Sequence, residues 1–192
     1  LQPKIKLIAF DTSAAHCAAA LLLDGRIVTR VDEMAKGQAE HLMPMMEEML
    51  HAEGLAWQDL DGVGVGVGPG NFTGIRISVS AARGLALGLG KPAIGVNGFE
   101  ARAHGEDRPY QATIPAPRGQ SYVQTFEANG SISAPAQTDT EAAAQKPAET
   151  LIAAVAHIAA ARLGVDAPRP APLYVRSADA APPRDPAPTI LP

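Results

Sequence analysis

Residues 61–78 read DGVGVGVGPGNFTGIRIS, an alternation of glycine and valine that runs through a Gly-Pro-Gly corner into a helix-like segment. In a strand, successive side chains point to opposite faces. Val63, Val65 and Val67 therefore line one side, while Gly62, Gly64, Gly66 and Gly68 leave the other bare. A bare face admits close approach of another backbone, and the small residues Ser78, Ala81, Ala82 and Gly84 suit the following helix to it. The corner carries a second reading. Gly68-Pro69-Gly70-Asn71 turns backbone N–H groups toward a helix start, an arrangement that favours anions. No lysine follows, so the P-loop ending Gly-Lys-Ser/Thr is absent, and the glycine spacing does not match the dinucleotide fingerprint. The candidate phosphate or nucleotide contacts are Gly68, Gly70 and Thr73 at this corner, with Asp11, Thr12 and Ser13 at the end of the first strand. An Asp closing a strand is also ordinary turn chemistry.

Upstream, KIKLIAFDTS (4–13) is a nearly continuous apolar run, the pattern of a strand buried on both faces. CAAALLLDGRIVTRVDE (17–33) contains two strand-like runs joined by Asp24-Gly25, a two-residue hairpin signal. Residues 37–54 switch to helical spacing, with Leu42, Met45, Met46, Met49 and Leu50 on one stripe and Gly54 as a stop. Downstream of the corner, the spacing predicts a second helix with Thr73 as N-cap and Gly90 as terminator. KPAIGVN (91–97) is a short strand and GFEARAHG (98–105) a third helix. Three strands in a meander, then helix, strand, helix, strand and helix, make an α/β chain of the ribonuclease-H-like type, the half-unit of the actin, sugar-kinase and Hsp70 folds.

Beyond residue 104 the composition changes: 13 of the 17 prolines lie at or after Pro109. Residues 111–133 still read as two or three short strands, with Asn129-Gly130 a hairpin turn. KPAETLIAAVAHIAAARLG (146–164) is a helix with Pro147 at its first position, Leu151, Ile152, Val155, Ile158 and Ala159 on one face, and Gly164 at its end. The expected organisation is a first lobe over 1–104, a small second lobe over 105–167, and a proline-rich extended segment over 168–192.

Composition narrows the function. The chain is 46% hydrophobic and 19% charged, the balance of a globular protein. A net charge of −4 without a basic run argues against autonomous nucleic-acid binding. The single cysteine, Cys17, cannot form an internal disulfide, and no span of 18 apolar residues occurs. The expectation is a soluble, cytoplasmic protein without a membrane partner. His41 and His51 are ten positions apart, roughly 80° and 15 Å on a helix, too far to chelate one metal. His16, His104 and His157 have no ligand-spaced partner, Cys17 has no identifiable base, and no Gly-x-Ser-x-Gly elbow is present. No nucleophile, base and oxyanion site assemble, so no catalytic residue and no metal ligand is expected.

Met43, Met45, Met46 and Met49 crowd one predicted helix of a chain with five methionines. They fill the core on one reading. On the other, their arc is wider than one core stripe needs, and methionine adapts to irregular partner surfaces. The candidate partner contacts are Leu42, Met45, Met46 and Met49, with Ser78 and Ala82 of the next helix. Pro44 implies a kink, or a helix start just before it.

IAFDTSAAHCAAALL (8–22), AEHLMPMMEEML (39–50) and residues 61–101, GPGNFTGIR above all, resemble the TsaB (YeaZ) family. That family belongs to the bacterial machinery that makes N6-threonylcarbamoyladenosine beside the tRNA anticodon. The resemblance covers most of residues 4–104, with weaker echoes in PRGQSYVQTF (117–126) and PLYVRSADA (172–180). It implies a non-catalytic paralogue of TsaD, the threonylcarbamoyl transferase. TsaD-like proteins carry a His-x-x-x-His metal pair where this chain reads VNGFEAR (96–102), with Gly98 and Arg102 in place of the histidines. Neither ligates iron or zinc. The family further implies first-lobe helices that pack on TsaD, or on a second copy as a homodimer when TsaD is absent. It also implies the ATPase TsaE as a partner, tRNA reached only through the complex, and ATP or ADP at the complex interface with no cofactor of the chain's own. The competing function is a kinase-fold ATPase or phosphotransferase using Asp11 and the Gly68–Gly70 corner. A glycoprotease is disfavoured by the missing metal pair and nucleophile.

Overall fold

A computed structural model describes residues 4–175. The apolar runs at its start form the meander β1 (Lys6–Asp11), β2 (His16–Leu23) and β3 (Arg26–Glu33), paired antiparallel. Asp24 and Gly25 both take positive φ (52° and 93°), the turn whose twist matches a two-residue hairpin. After α1 (Gln38–Ala52), β4 (Gly62–Gly66) enters parallel to β1. Then α2 (Phe72–Leu89) crosses over to β5 (Ala93–Val96), parallel to β4, and α3 (Gly98–Ala103) follows. The sheet order is β3-β2-β1-β4-β5, which is the expected ribonuclease-H-like α/β fold. A second sheet, β6-β7-β8, is built from β6 (Tyr110–Pro115), β7 (Ser121–Phe126) and β8 (Ala136–Thr138), and α4 (Ala148–Ala161) comes last.

Side-chain alternation divides the core into two layers. Ile8, Phe10, Leu21, Val63 and Val65 face α1 and α2, whereas Leu7, Ala9, Ala20 and Ile94 face α4 and Ala101 of α3. Pro44 lies inside α1, exposed, so the helix neither starts nor stops there. A smaller core of Phe99, Ala112, Ile114 and Phe126 joins the second sheet to α3.

Four expectations change. At Gly62 and Gly64 the bare glycine face is met by α4 and the turn after it, not by α2: a Cβ built on Gly64 would lie 2.8 Å from the Ala159 Cβ, and one on Gly62 would lie 2.6 Å from Leu163 Cδ2. Helix α2 covers the valine side with Ile75, Val79 and Ala82. The cap of α2 is Asn71, whose Oδ1 accepts from Gly74 N at 2.9 Å, and Thr73 sits inside the first turn. Pro147 is the N-cap of α4, not its first helical residue. Finally, the division at 104 puts α4 in the second lobe over 105–167, whereas α4 packs on the five-stranded sheet and leaves β6–β8 as the small lobe.

Residues 168–175 run without regular structure along α2, as the prolines suggest. Leu173 N donates to Val67 O at 2.8 Å, and Arg83 Nε donates to Pro170 O at 2.7 Å. The rest of the proline-rich segment, 176–192, lies outside the described residues.

Candidate functional site

A cleft of about 740 Å³ lies between the five-stranded sheet, α4 and the small sheet. Asp11, Ser13 and Gly70, three of the candidate phosphate contacts, line it. The strand that ends at Asp11 and the corner that precedes α2 converge because β1 and β4 are parallel neighbours. Close approach holds them together: Asn71 N donates to Ser13 O at 2.7 Å, and a Cβ on Gly70 would lie 2.5 Å from that oxygen. Asp11 closes its own turn, its Oδ1 accepting from Ser13 N at 2.5 Å.

Of the other three candidates, two serve the scaffold and one lies outside the cleft. Thr12 is fully buried, and its hydroxyl donates to Gly74 O at 2.7 Å. Gly68 takes φ +90° and packs under Ile75, and its carbonyl accepts from Gly98 N at 2.8 Å. Thr73 is exposed outside the cleft lining. At the corner, two N–H groups that an anion would use, those of Asn71 and Gly74, already have partners within the chain.

Sequence reasoning left the basic end of the cleft unassigned. Arg102 of α3 is half-buried there; Nε and Nη2 donate to Gln145 Oε1 at 3.0 and 2.9 Å, and Nη1 donates to Gly98 O at 3.0 Å. Burial pushes its pKa down, with Asp11 and then Tyr110 opposing that shift. The guanidinium lies over Gly98: a Cβ built there would lie 3.0 Å from Ile114 Cδ1 and 3.2 Å from Arg102 Nη1. Lys146 stands beside it, donating to Arg102 O at 2.7 Å and pairing with Glu106 at 2.5 Å. One signal in the sequence pointed here, a lone arginine on a short helix whose neighbours Phe99 and Ala101 are core residues.

Metal chemistry finds no donor set: among the described residues, no group of three or more His, Cys, Asp or Glu side chains is placed to hold an ion. His104 and His157, which sequence spacing left unpartnered, stack with ring centroids 6.0 Å apart. Burial, then His157 and Lys146, push the His104 pKa down. Cys17 is buried, and burial with the nearby Asp32 carboxylate pushes its thiol up to about 11, the reverse of an activated nucleophile.

The candidate partner residues Leu42, Met45, Met46, Met49, Ser78 and Ala82 are all buried in the chain's own core. The wide methionine arc is absorbed because α1 packs on the sheet beside α2 and meets apolar neighbours on more than one side. The outward surface of these helices is different. On α2 it carries Ser80, Gly84, Leu87 and Gly88, with Ile77 and Ala81 half-buried at its margin. Leu87 is 86% exposed, and a Cβ on Gly84 or Gly88 would meet nothing within 4 Å. No described helix is long and apolar enough to cross a membrane.

The family model for TsaD, tRNA N6-adenosine threonylcarbamoyltransferase, matches residues 32–172. The tRNA threonylcarbamoyladenosine biosynthesis protein TsaB of Escherichia coli (strain K12) is 33% identical over 128 residues, 64% of this chain and 55% of that protein. A tRNA N6-adenosine threonylcarbamoyltransferase of Jannaschia sp. (strain CCS1) is 46% identical over 63 residues, 33% of this chain and 18% of that protein. The chain thus spans about half the length of the first of these relatives and a fifth of the second. The structure of YeaZ from Pseudomonas aeruginosa superposes with a TM-score of 0.70 at 26% identity, covering 88% of this chain and 99% of that one.

Proposed function

Since the chain belongs to the TsaD family, within its TsaB/YeaZ branch, we propose that it is a non-catalytic subunit of the apparatus that threonylcarbamoylates the adenosine next to the tRNA anticodon. It pairs with a TsaD and works with TsaE, and it meets tRNA only through that complex. The observation that carries this reading is the pair Gly98 and Arg102, where the family resemblance implies TsaD's two metal histidines. A guanidinium packed over a glycine fills the space that a ligating imidazole would need. The cleft keeps the outline of a kinase-type site while two of its corner N–H groups and the Thr12 hydroxyl serve internal contacts. This favours the scaffold over a kinase-fold ATPase built on Asp11 and the Gly68–Gly70 corner. Any ATP or ADP is held jointly with a partner.

The partner surface is the outward side of α2, continued by the exposed part of α1. Gly84 and Gly88 let a partner helix approach closely, and Leu87 supplies an apolar contact. A second copy occupies the same surface when TsaD is absent. Light scattering of the chain mixed with a TsaD tests this. The native chain forms a heterodimer, while Gly84→Arg leaves both proteins as separate species without lowering the melting temperature of this chain. A heterodimer that survives Gly84→Arg removes α2 from the interface.

A further inference from the structure

We propose that the cleft between the two lobes is a binding site for a small carboxylate with a compact apolar body, anchored at Arg102. The long walls are aliphatic: Val96 from the sheet, Ile114 from the small lobe, and Leu151, Ile152 and Val155 from α4. A volume of about 740 Å³ falls in the range of small-molecule sites, roughly 300–1,000 Å³. At the basic end, Lys146 already has its carboxylate in Glu106. Arg102 does not: its three hydrogen bonds run to an amide oxygen and a backbone carbonyl, both neutral. Among the described residues no carboxylate lies within 4 Å of it.

A half-buried guanidinium held by neutral acceptors has lost hydration without gaining a carboxylate in contact; Asp11 acts on it only from beyond 4 Å, and an incoming anion supplies the missing contact. Three of its five N–H groups are used, which leaves one on each terminal nitrogen, enough for the two oxygens of a carboxylate. Asp11 is the cleft's own acid, but its Oδ1 is taken by Ser13 N and its other oxygen rests against Gly66. Arg102 has no carboxylate in contact, and the nearby Asp11 charge makes each further negative charge on a ligand less favourable, so the cleft suits a monoanion. A polyphosphate would bring several charges to a site that offers one, and its polar body would strip water against aliphatic walls.

The test is isothermal titration of the whole chain with 4-phenylbutyrate, its uncharged amide 4-phenylbutyramide, inorganic phosphate and Mg-ADP. The site as described binds 4-phenylbutyrate saturably at one equivalent and the amide at least tenfold more weakly. Phosphate and Mg-ADP bind more weakly than the acid. Arg102→Gln abolishes the preference for acid over amide, and Leu151→Trp, which fills the cleft from α4, removes binding of both. Thermal melts establish that each variant is folded; should Arg102→Gln fail to fold, the acid–amide pair on the native chain and Leu151→Trp decide. Absence of saturable binding, equal affinity for acid and amide, or tighter binding of Mg-ADP than of the acid would overturn the proposal. Because no partner is present in these titrations, they fail or succeed independently of the scaffold reading.

Discussion

Gly66 has no room for a side chain, because a Cβ there would overlap the Asp11 carboxylate. Gly66→Val should cost about 1–3 kcal/mol through overpacking, read as a lower urea midpoint with an unchanged slope. An unaltered midpoint would mean that Asp11 swings away freely. Gly88 is the contrasting case: it is exposed in α2 with nothing within 4 Å of a built Cβ. Gly88→Ala should therefore stabilise the chain by roughly 0.5–1 kcal/mol. Asp32 makes a prediction in pH. Arg30, and then His41 at 2.6 Å, hold its carboxyl below the usual carboxylate range. A depressed folded pKa means that this stabilisation is present at neutral pH and is lost as pH falls through the acid range. Asp32→Asn should flatten the acid limb of melting temperature against pH while lowering the neutral plateau. An acid limb as steep as the native one would exclude Asp32 as a contributor. At Cys17, with its thiol pushed up to about 11, native protein should resist alkylation at pH 8 and react once unfolded.

At the scale of elements, the start of α2 rests on Asn71. Asn71→Ala removes the side-chain acceptor of Gly74 N and should cost about 0.5–2 kcal/mol, visible as faster amide exchange in the first turn of α2. Retained protection there would show that the tight corner alone fixes the helix. Asn71 also illustrates where the sequence speaks and where it is silent. Strands, hairpin turns and helices were legible from alternation, glycine stops and the 3.6-residue stripe, because each is set by local periodicity. The cap is Asn71 and not Thr73, because the sequence does not show where the glycine corner ends and the helix begins. Which helix meets which face of β4 was not legible. Parity within the strand separates Val63 from Gly64, but it cannot say that α2 crosses on the valine side and that a helix some sixty residues later in the chain returns to the glycine side. That is a property of crossover handedness and long-range closure. The methionines of α1 were ambiguous for the same reason: their arc was visible in the sequence, and the neighbours that absorb it were not.

Across the whole molecule, the first lobe's signature in the sequence sufficed for the fold, while the cleft is assembled from strand ends, α3, the segment before α4 and the chain beyond α4. Asp11, Ser13 and Gly70 were identifiable as strand-end and corner residues. Arg102 carries a signal on its short helix, but its grouping with Gln145 and Lys146 is not legible, since the three become neighbours only when the small sheet and α4 close over the first lobe. The described residues form a kinase-type frame in which no group of three or more His, Cys, Asp or Glu side chains is placed to hold a metal, and the exposed side of α2 is the surface proposed for a partner. The most direct test is a reconstituted reaction of TsaD, TsaE, ATP, a threonylcarbamoyl donor and substrate tRNA, following labelled threonine into tRNA with and without this chain. The account predicts incorporation that depends on the chain, none from the chain alone, and none with Gly84→Arg. Incorporation that ignores its presence, or that the chain catalyses unaided, would contradict it.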